Sequence, residues 1–183
     1  MALFTPEKDS AFKAGDFMLI GTDGKTYSLQ KCRGPKGLLV MFICNHCPYV
    51  QAVVDRLVED CNVLKKAGIG CVAIMSNDTK THPADSFDNM QVFARKHRFS
   101  FPYLLDETQG VARAYGAVCT PDFFGFNAAG ELQYRGRIDS AGINKPGATT
   151  VRELLNAMLE IAKAGKGPAE QFPSTGCSIK WRA

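Results

Sequence analysis

The stretch GLLVMFICNHCPYVQAVVDRL, residues 37–57, decides the fold. Its first seven residues, 37–43, are apolar without interruption and include Val, Phe and Ile, the pattern of a strand buried on both faces. The run stops at Cys44-Asn45-His46-Cys47-Pro48. Pro48 suits the first position of a helix, where its missing N–H costs no hydrogen bond. Beyond it Val50, Val53, Val54, Leu57, Cys61 and Leu64 recur at helical spacing as one apolar stripe, and Gly68 is placed to end the helix. Two cysteines and a histidine therefore lie where a buried strand hands over to a helix. A redox pair, a metal site, a peroxide-reducing thiol and plain packing all fit that placement.

Working outward, DFMLIGTDGKTYSL (16–29) reads as two short strands turning at Asp23-Gly24. IGCVAIMSN (69–77) is a second buried strand, DTKTHPADSF (78–87) a polar loop, and SFDNMQVFARKH (86–97) a helix. FPYLLD (101–106) predicts a short strand and ETQGVARAYGA (107–117) a short helix. PDFFGFNAAGELQYRGRI (121–138) predicts a second hairpin turning at Ala128-Ala129-Gly130. TTVRELLNAMLEIAKAG (149–165) predicts a helix capped by Thr149 or Thr150 and stopped by Gly165. Strands alternating with helices, closed by a hairpin, imply an α/β protein with a mixed sheet. A length of 183 residues with 45% hydrophobic content suits one domain and one substantial core. That domain is expected over residues 1–165, with a tail, 166–183, packed on it or extending from it.

The net charge of +4 is spread without a basic block or stripe, which argues against nucleic acid as a partner. The opening MALFTPEKDSAFKAGDF lacks the basic start and apolar core of a secretory signal, and no apolar run approaches the ~20 residues of a membrane span. The expectation is a cytoplasmic protein with no membrane association. Seven cysteines, an odd number and mostly isolated, argue against a secreted disulfide framework. Cys61 falls on the apolar stripe and Cys71 inside a strand run, which marks both as small core residues.

Only Cys44 and Cys47 are spaced as a motif. Three extended residues span roughly 10 Å, whereas a disulfide needs its Cα atoms within about 7 Å. A bond between them therefore requires a turn, for which Asn45 is suited. Cys47 stands at a helix start, where unpaired N–H groups and the helix dipole favour a thiolate. It is the candidate nucleophile, with Cys44 either its partner or a packed strand-end thiol. His46 either adds positive charge beside the thiols or is a loop histidine.

The element order, with cysteines closing the first core strand, resembles the thioredoxin superfamily, and within it the alkyl hydroperoxide reductase/thiol-specific antioxidant (redoxin) family. Four segments carry the resemblance: DGKTYSL, LLVMFICNHCPYV, FPYLLDETQGVARAYGA and CTPDFFGFNAAGELQYRGRID, together covering roughly residues 15–165. It implies a thioredoxin-like fold, a mixed central sheet flanked by helices, with an N-terminal β-hairpin extension. Counting five residues on from Phe42, as in the family, puts the attacking cysteine at Cys47 and leaves Val50 where thioredoxins carry the resolving one. The CNHC motif is thus displaced toward the strand, similar to a peroxiredoxin-like subgroup. Thr120 and Pro121 match the family's cis-proline loop, which lies against the attacking cysteine and pairs its backbone with substrate. The resemblance puts Cys119 nearby, as a second resolving thiol or a buried core residue. Cys177, in the tail segment PSTGCSIKW, is a resolving thiol if the tail folds back and an idle thiol otherwise.

The function this implies is a thiol–disulfide oxidoreductase of antioxidant type. Its partners are a protein or small-molecule disulfide and a thiol reductant, with no cofactor and no metal. Two alternatives stand beside it. A thiol peroxidase would carry Pro-x-x-x-Thr/Ser-x-x-Cys, but set on Cys47 this pattern meets Cys44 and Val40, and set on Cys44 it meets Met41 and Gly37. Neither fits, so slow peroxide turnover is expected. A copper or zinc carrier would use Cys44, His46, Cys47 and Cys119 as soft ligands, with His82 and His97 placed in a loop and at a helix end. Oligomeric state has no signature in the sequence.

Overall fold

The computed structural model describes residues 1–183. The strands are β1 (Ala2–Phe4), β2 (Met18–Gly21), β3 (Thr26–Ser28), β4 (Gly37–Phe42), β5 (Ile69–Met75), β6 (Tyr103–Leu105), β7 (Cys119–Thr120), β8 (Asp122–Asn127), β9 (Leu132–Tyr134) and β10 (Thr175–Ser178). The helices are α1 (Leu29–Cys32), α2 (Pro48–Lys66), α3 (Phe87–Lys96), α4 (Gly110–Tyr115) and α5 (Glu153–Ala164), with one 3-10 turn at Pro83–Asp85.

Strands β3-β2-β6-β5 and β4-β8-β9 form a seven-strand mixed sheet, and Ile43 N–H donates to the Ile74 carbonyl at 3.1 Å where β4 leaves the side of β5. The β5–β6 pair is parallel; β4–β8 and β8–β9 are antiparallel. The expected first hairpin is present, with Gly24 at φ +79°, and its strand β2 joins the main sheet alongside β6. No helix is long and apolar enough to cross a membrane.

β4 is buried along its whole length, and its period of two explains why the apolar run has no polar gaps. Leu39 and Met41 face a core built with α2, α3 and α5. Leu38, Val40 and Phe42 face a second core with α1, α4 and the Phe124 and Phe126 rings. The stripe predicted on α2 is buried at every position from Val50 to Leu64. Pro48 opens α2, and Gly68, at φ +86°, follows its last residues.

One expectation needs correction. Neither Thr149 nor Thr150 caps α5, which begins at Glu153 after Arg152. The Thr150 hydroxyl instead accepts from Gly147 N–H at 2.8 Å, stabilising the preceding turn. In the tail, residues 175–178 form β10, the centre of a small antiparallel sheet ordered β1-β10-β7.

Gly37 shows how closely β4 is held. It sits at φ +148°, and a Cβ there would collide with the Phe126 carbonyl oxygen of β8. Gly37→Ala is expected to cost about 3 kcal/mol through strain and strand separation. In thermal denaturation that corresponds to a drop in Tm of roughly 10 °C for a chain of this size. Melting at the wild-type temperature would contradict this close approach.

Candidate active site

The site is assembled at the ends of β4 and β5, where the chain leaves the sheet. Ile43 to Cys47 cross from β4 to α2 without regular structure, so their polar groups need outside partners. Asp85, fully buried in the 3-10 turn, supplies them. Its Oδ1 accepts from Asn45 N–H at 2.8 Å and lies 3.4 Å from His46 N. Its Oδ2 meets His46 Nδ1 at 2.6 Å and accepts from Asn77 Nδ2 at 2.9 Å. Asn45 is fixed further, its Oδ1 accepting from Tyr103 Oη at 2.9 Å and its Nδ2 donating to the Ala84 carbonyl at 3.1 Å. The Cys44–Cys47 turn is thus clamped through backbone and side chain together.

Cys47 is the N-cap of α2, followed by Pro48 at the first helical position. Its thiol contacts the Thr120 carbonyl at 3.2 Å, and the Cys44 sulfur lies 3.4 Å from the Thr120 hydroxyl. Both cysteines are buried, Cys47 at 0% and Cys44 at 1% exposure. The Thr120-Pro121 bond is cis. The structure therefore gathers Cys44, Cys47, Thr120 and Pro121 at one point, with His46 Nδ1 3.9 Å from the Cys44 sulfur.

Cys119 is less central. It is buried in β7 beside Thr120, and its sulfur is 3.8 Å from the Pro121 carbonyl. Burial pushes its thiol up to about 12. Of the other histidines, His82 stacks on His46 at 5.6 Å, whereas His97 pairs with Asp55 on α2. Cys177, on β10, stands directly across from Thr120.

Sequence reasoning missed Asp85, Asn77 and Tyr103. The available signal was positional. DTKTHPADSF follows the C-terminal end of a parallel strand, where loops commonly carry functional groups, and its Asp85 is a carboxylate with a turn-forming Pro83 close by.

The two thiols divide one proton unequally. Cys47 is lowered to about 4: the Cys44 thiol is the largest cause, and the Cys177 thiol, Thr120 and the Val50 N–H add to it against the cost of burial. Cys44 is raised by its hydrogen bond to the Cys47 sulfur, then by burial and the nearby Asp85. Both shifts point the same way: Cys47, on the helix N-terminus, is the more acidic thiol of the pair and Cys44 the less acidic.

The pattern that defines the AhpC/TSA family matches residues 11–135. The chain belongs to the AhpC/TSA family. Chloroplastic peroxiredoxin Q of Triticum aestivum is 30% identical over 110 residues, 60% of this chain and 46% of that protein. The thiol-disulfide oxidoreductase ResA of Halalkalibacterium halodurans is 24% identical over 120 residues, 66% of this chain and 64% of that one. The match thus spans about half the length of the peroxiredoxin Q relative. An uncharacterised conserved protein from Geobacillus kaustophilus superposes with a TM-score of 0.92 at 39% identity, covering 100% of this chain and 97% of the other. The fold is thioredoxin-like, shared with solved disulfide oxidoreductases at only 17–18% identity.

Cys44, His46 and Asp85 also place ligand-type atoms within 4.8 Å of one another. Their chemistry opposes a zinc or copper(I) centre. Only three ligand-type atoms converge where a closed zinc site takes four, and Asp85 already serves Asn45, His46 and Asn77. Reduced protein is expected to carry far less than one equivalent of either metal by elemental analysis. One tightly bound equivalent, lost in Cys44→Ser, would reverse this reading.

The thiolate assignment has a pH signature. Between pH about 4 and the ordinary 9.0, Cys47 is ionised when folded and protonated when unfolded. The unfolded state then binds more protons, so this group's contribution to stability rises with pH across that window and is lost as pH falls through about 4. Ultraviolet thiolate absorbance at pH 6 should be present in wild type and absent in Cys47→Ser. The stability gap between the two should widen as pH rises toward 9.

Proposed function

We propose that the protein is a thiol–disulfide oxidoreductase of the redoxin type, with Cys47 as the attacking thiol and Cys44 as the resolving thiol. One observation carries this reading: the Cys47 and Cys44 sulfurs meet the carbonyl and the hydroxyl of Thr120, at 3.2 and 3.4 Å, beside a cis-proline. The redoxin-family membership and the likeness to ResA and peroxiredoxin Q support it.

The Cys47 thiolate attacks one sulfur of a substrate disulfide. A mixed disulfide forms on Cys47, and the other half of the substrate leaves as a thiolate. Cys44 then loses its proton and attacks the Cys47 sulfur. The second half leaves as a thiol and a Cys44–Cys47 disulfide remains, so the substrate has gained the two electrons the pair has lost. The Cys44 proton passes to the departing sulfur, and the Asp85–His46 pair, with His46 Nδ1 3.9 Å from the Cys44 sulfur, flanks that transfer. Thr120 and Pro121 position the reacting sulfurs, while Cys119 supports the loop as a packed thiol. Return to the dithiol uses an external thiol reductant. Seven unpaired thiols suit a reducing compartment such as the cytoplasm.

Oxidation with one equivalent of glutathione disulfide, followed by peptide mapping, tests the assignment. Wild type is expected to yield a Cys44–Cys47 bond. In Cys44→Ser, Cys47 should still be consumed, ending bonded to a different thiol. In Cys47→Ser, Cys44 should stay free. Modification of Cys44 at the wild-type rate in Cys47→Ser would reverse the two roles.

A further inference from the structure

The buried pair has an access problem. Cys47 has no exposed surface, and part of its cover is β10, which packs against α2. β10 lies antiparallel on β7 with Cys177 opposite Thr120. Directly opposed residues of an antiparallel pair present their side chains to the same face, with Cβ atoms about 5 Å apart. The Thr120 hydroxyl points to Cys44 and its carbonyl takes the Cys47 thiol, so the Cys177 side chain is delivered to the face that holds both. Cys177 packs against the core cluster that contains Cys47, yet it is only half-buried. The approach is built in: Gly176 precedes it, and a Cβ there would collide with the Thr120 carbonyl. Ile179 N–H donates to the Val118 carbonyl at 3.2 Å, holding the strand beyond the cysteine. Cys119 does not share this placement, because adjacent strand residues point to opposite faces.

We infer that Cys177 is a third redox thiol of the site, carried to Cys47 by a strand of the same chain, and that a Cys47–Cys177 disulfide links the buried pair to thiols in solution. This rests on the Cys44–Cys47 redox reading. In the first step the Cys177 thiolate attacks the Cys47 sulfur of the Cys44–Cys47 disulfide. The Cys47–Cys177 bond forms, the Cys44–Cys47 bond breaks, and Cys44 leaves with the electron pair and takes a proton. In the second, an external thiolate attacks the half-buried Cys177 sulfur and expels Cys47 as its thiolate. In the third, a second external thiol attacks the mixed disulfide on Cys177. One external disulfide is produced and the three protein thiols are regenerated.

The acidities favour the second step, while the first depends on the tethered approach of Cys177. Cys177 is pushed up to about 11, by burial first and then by its neighbour Cys47, while Cys47 is held low. In a disulfide between them Cys47 is the better leaving group, so an external thiol is directed to Cys177, the sulfur it can reach. The β10 strand lies on the strand edge beside the cis-proline, so the chain places its own cysteine there, as a tethered occupant of that edge.

Two measurements decide it. Cys44→Ser oxidised with diamide should give a Cys47–Cys177 linkage by peptide mapping. Stoichiometrically oxidised wild type and Cys177→Ser would then be reduced by glutathione. Loss of the tethered thiol should slow reduction by at least about tenfold, since an intramolecular step is replaced by direct attack on a covered sulfur. Cys177→Ala serves as a second variant with the same expected slowing. A Cys44–Cys47 disulfide that is reduced at the wild-type rate without Cys177, with no Cys47–Cys177 linkage in Cys44→Ser, would overturn the inference and leave the oxidoreductase reading intact. If wild type forms no Cys44–Cys47 bond, the oxidoreductase reading fails instead.

Discussion

The Asp85 carboxylate holds the turn on which the site depends. A strand buried on both faces cannot run straight into a helix on one of those faces; a short irregular segment must join them, and its polar groups lie at the edge of the core. Asp85 takes Asn45 N–H and the His46 ring from that segment and Asn77 from the end of the neighbouring strand, so a single buried group ties three parts of the chain. Loss of such an acceptor would leave several buried donors unsatisfied, each costing about 1–3 kcal/mol. With the turn fixed, Cys44 and Cys47 have fixed relations to the helix end and to Thr120, and the difference in their acidities follows from position.

Much of this was readable in advance where it depends on periodicity. The double burial of β4, the stripe of α2, both hairpin turns and the alternation of strand and helix follow from side-chain spacing along a local segment. The placement of Cys47 at a helix N-terminus follows from Pro48 and the stripe beyond it. What stayed hidden depends on partners distant in sequence. Position after a parallel strand and the nearby Pro83 mark the loop, but the role of Asp85 itself exists because the loop folds over Asn45, forty residues earlier. β10 is four residues with little strand character, TGCS, and becomes a strand only because β1 and β7 flank it. The α5 start was misjudged because the Thr150 hydroxyl serves a nearer donor in the preceding turn.

The seven cysteines illustrate how environment separates one side chain into different chemistries. Cys61 sits in the α2 stripe, and burial and its neighbour Cys71 keep it a neutral thiol, equivalent to a small apolar residue. Cys32 is likewise raised by burial, to about 11. Cys47 has comparable cover and the opposite acidity, because a helix terminus and a donating thiol face it. Burial alone therefore says little about a cysteine; the deciding question is which donors its sulfur meets.

The small β1-β10-β7 sheet has a bearing on the order of assembly. It joins residues 2–4 to residues 175–177, so almost the whole chain lies in the loop that this pairing closes. Contacts of such sequence separation can be made only after the intervening chain is in place. During synthesis the main sheet and α2 can be largely formed while Cys47 still lacks the part of its cover that β10 supplies, which arrives only when residues 175–178 have been made. In that interval the sulfur has less cover than in the finished protein and is more open to the thiols and oxidants around it.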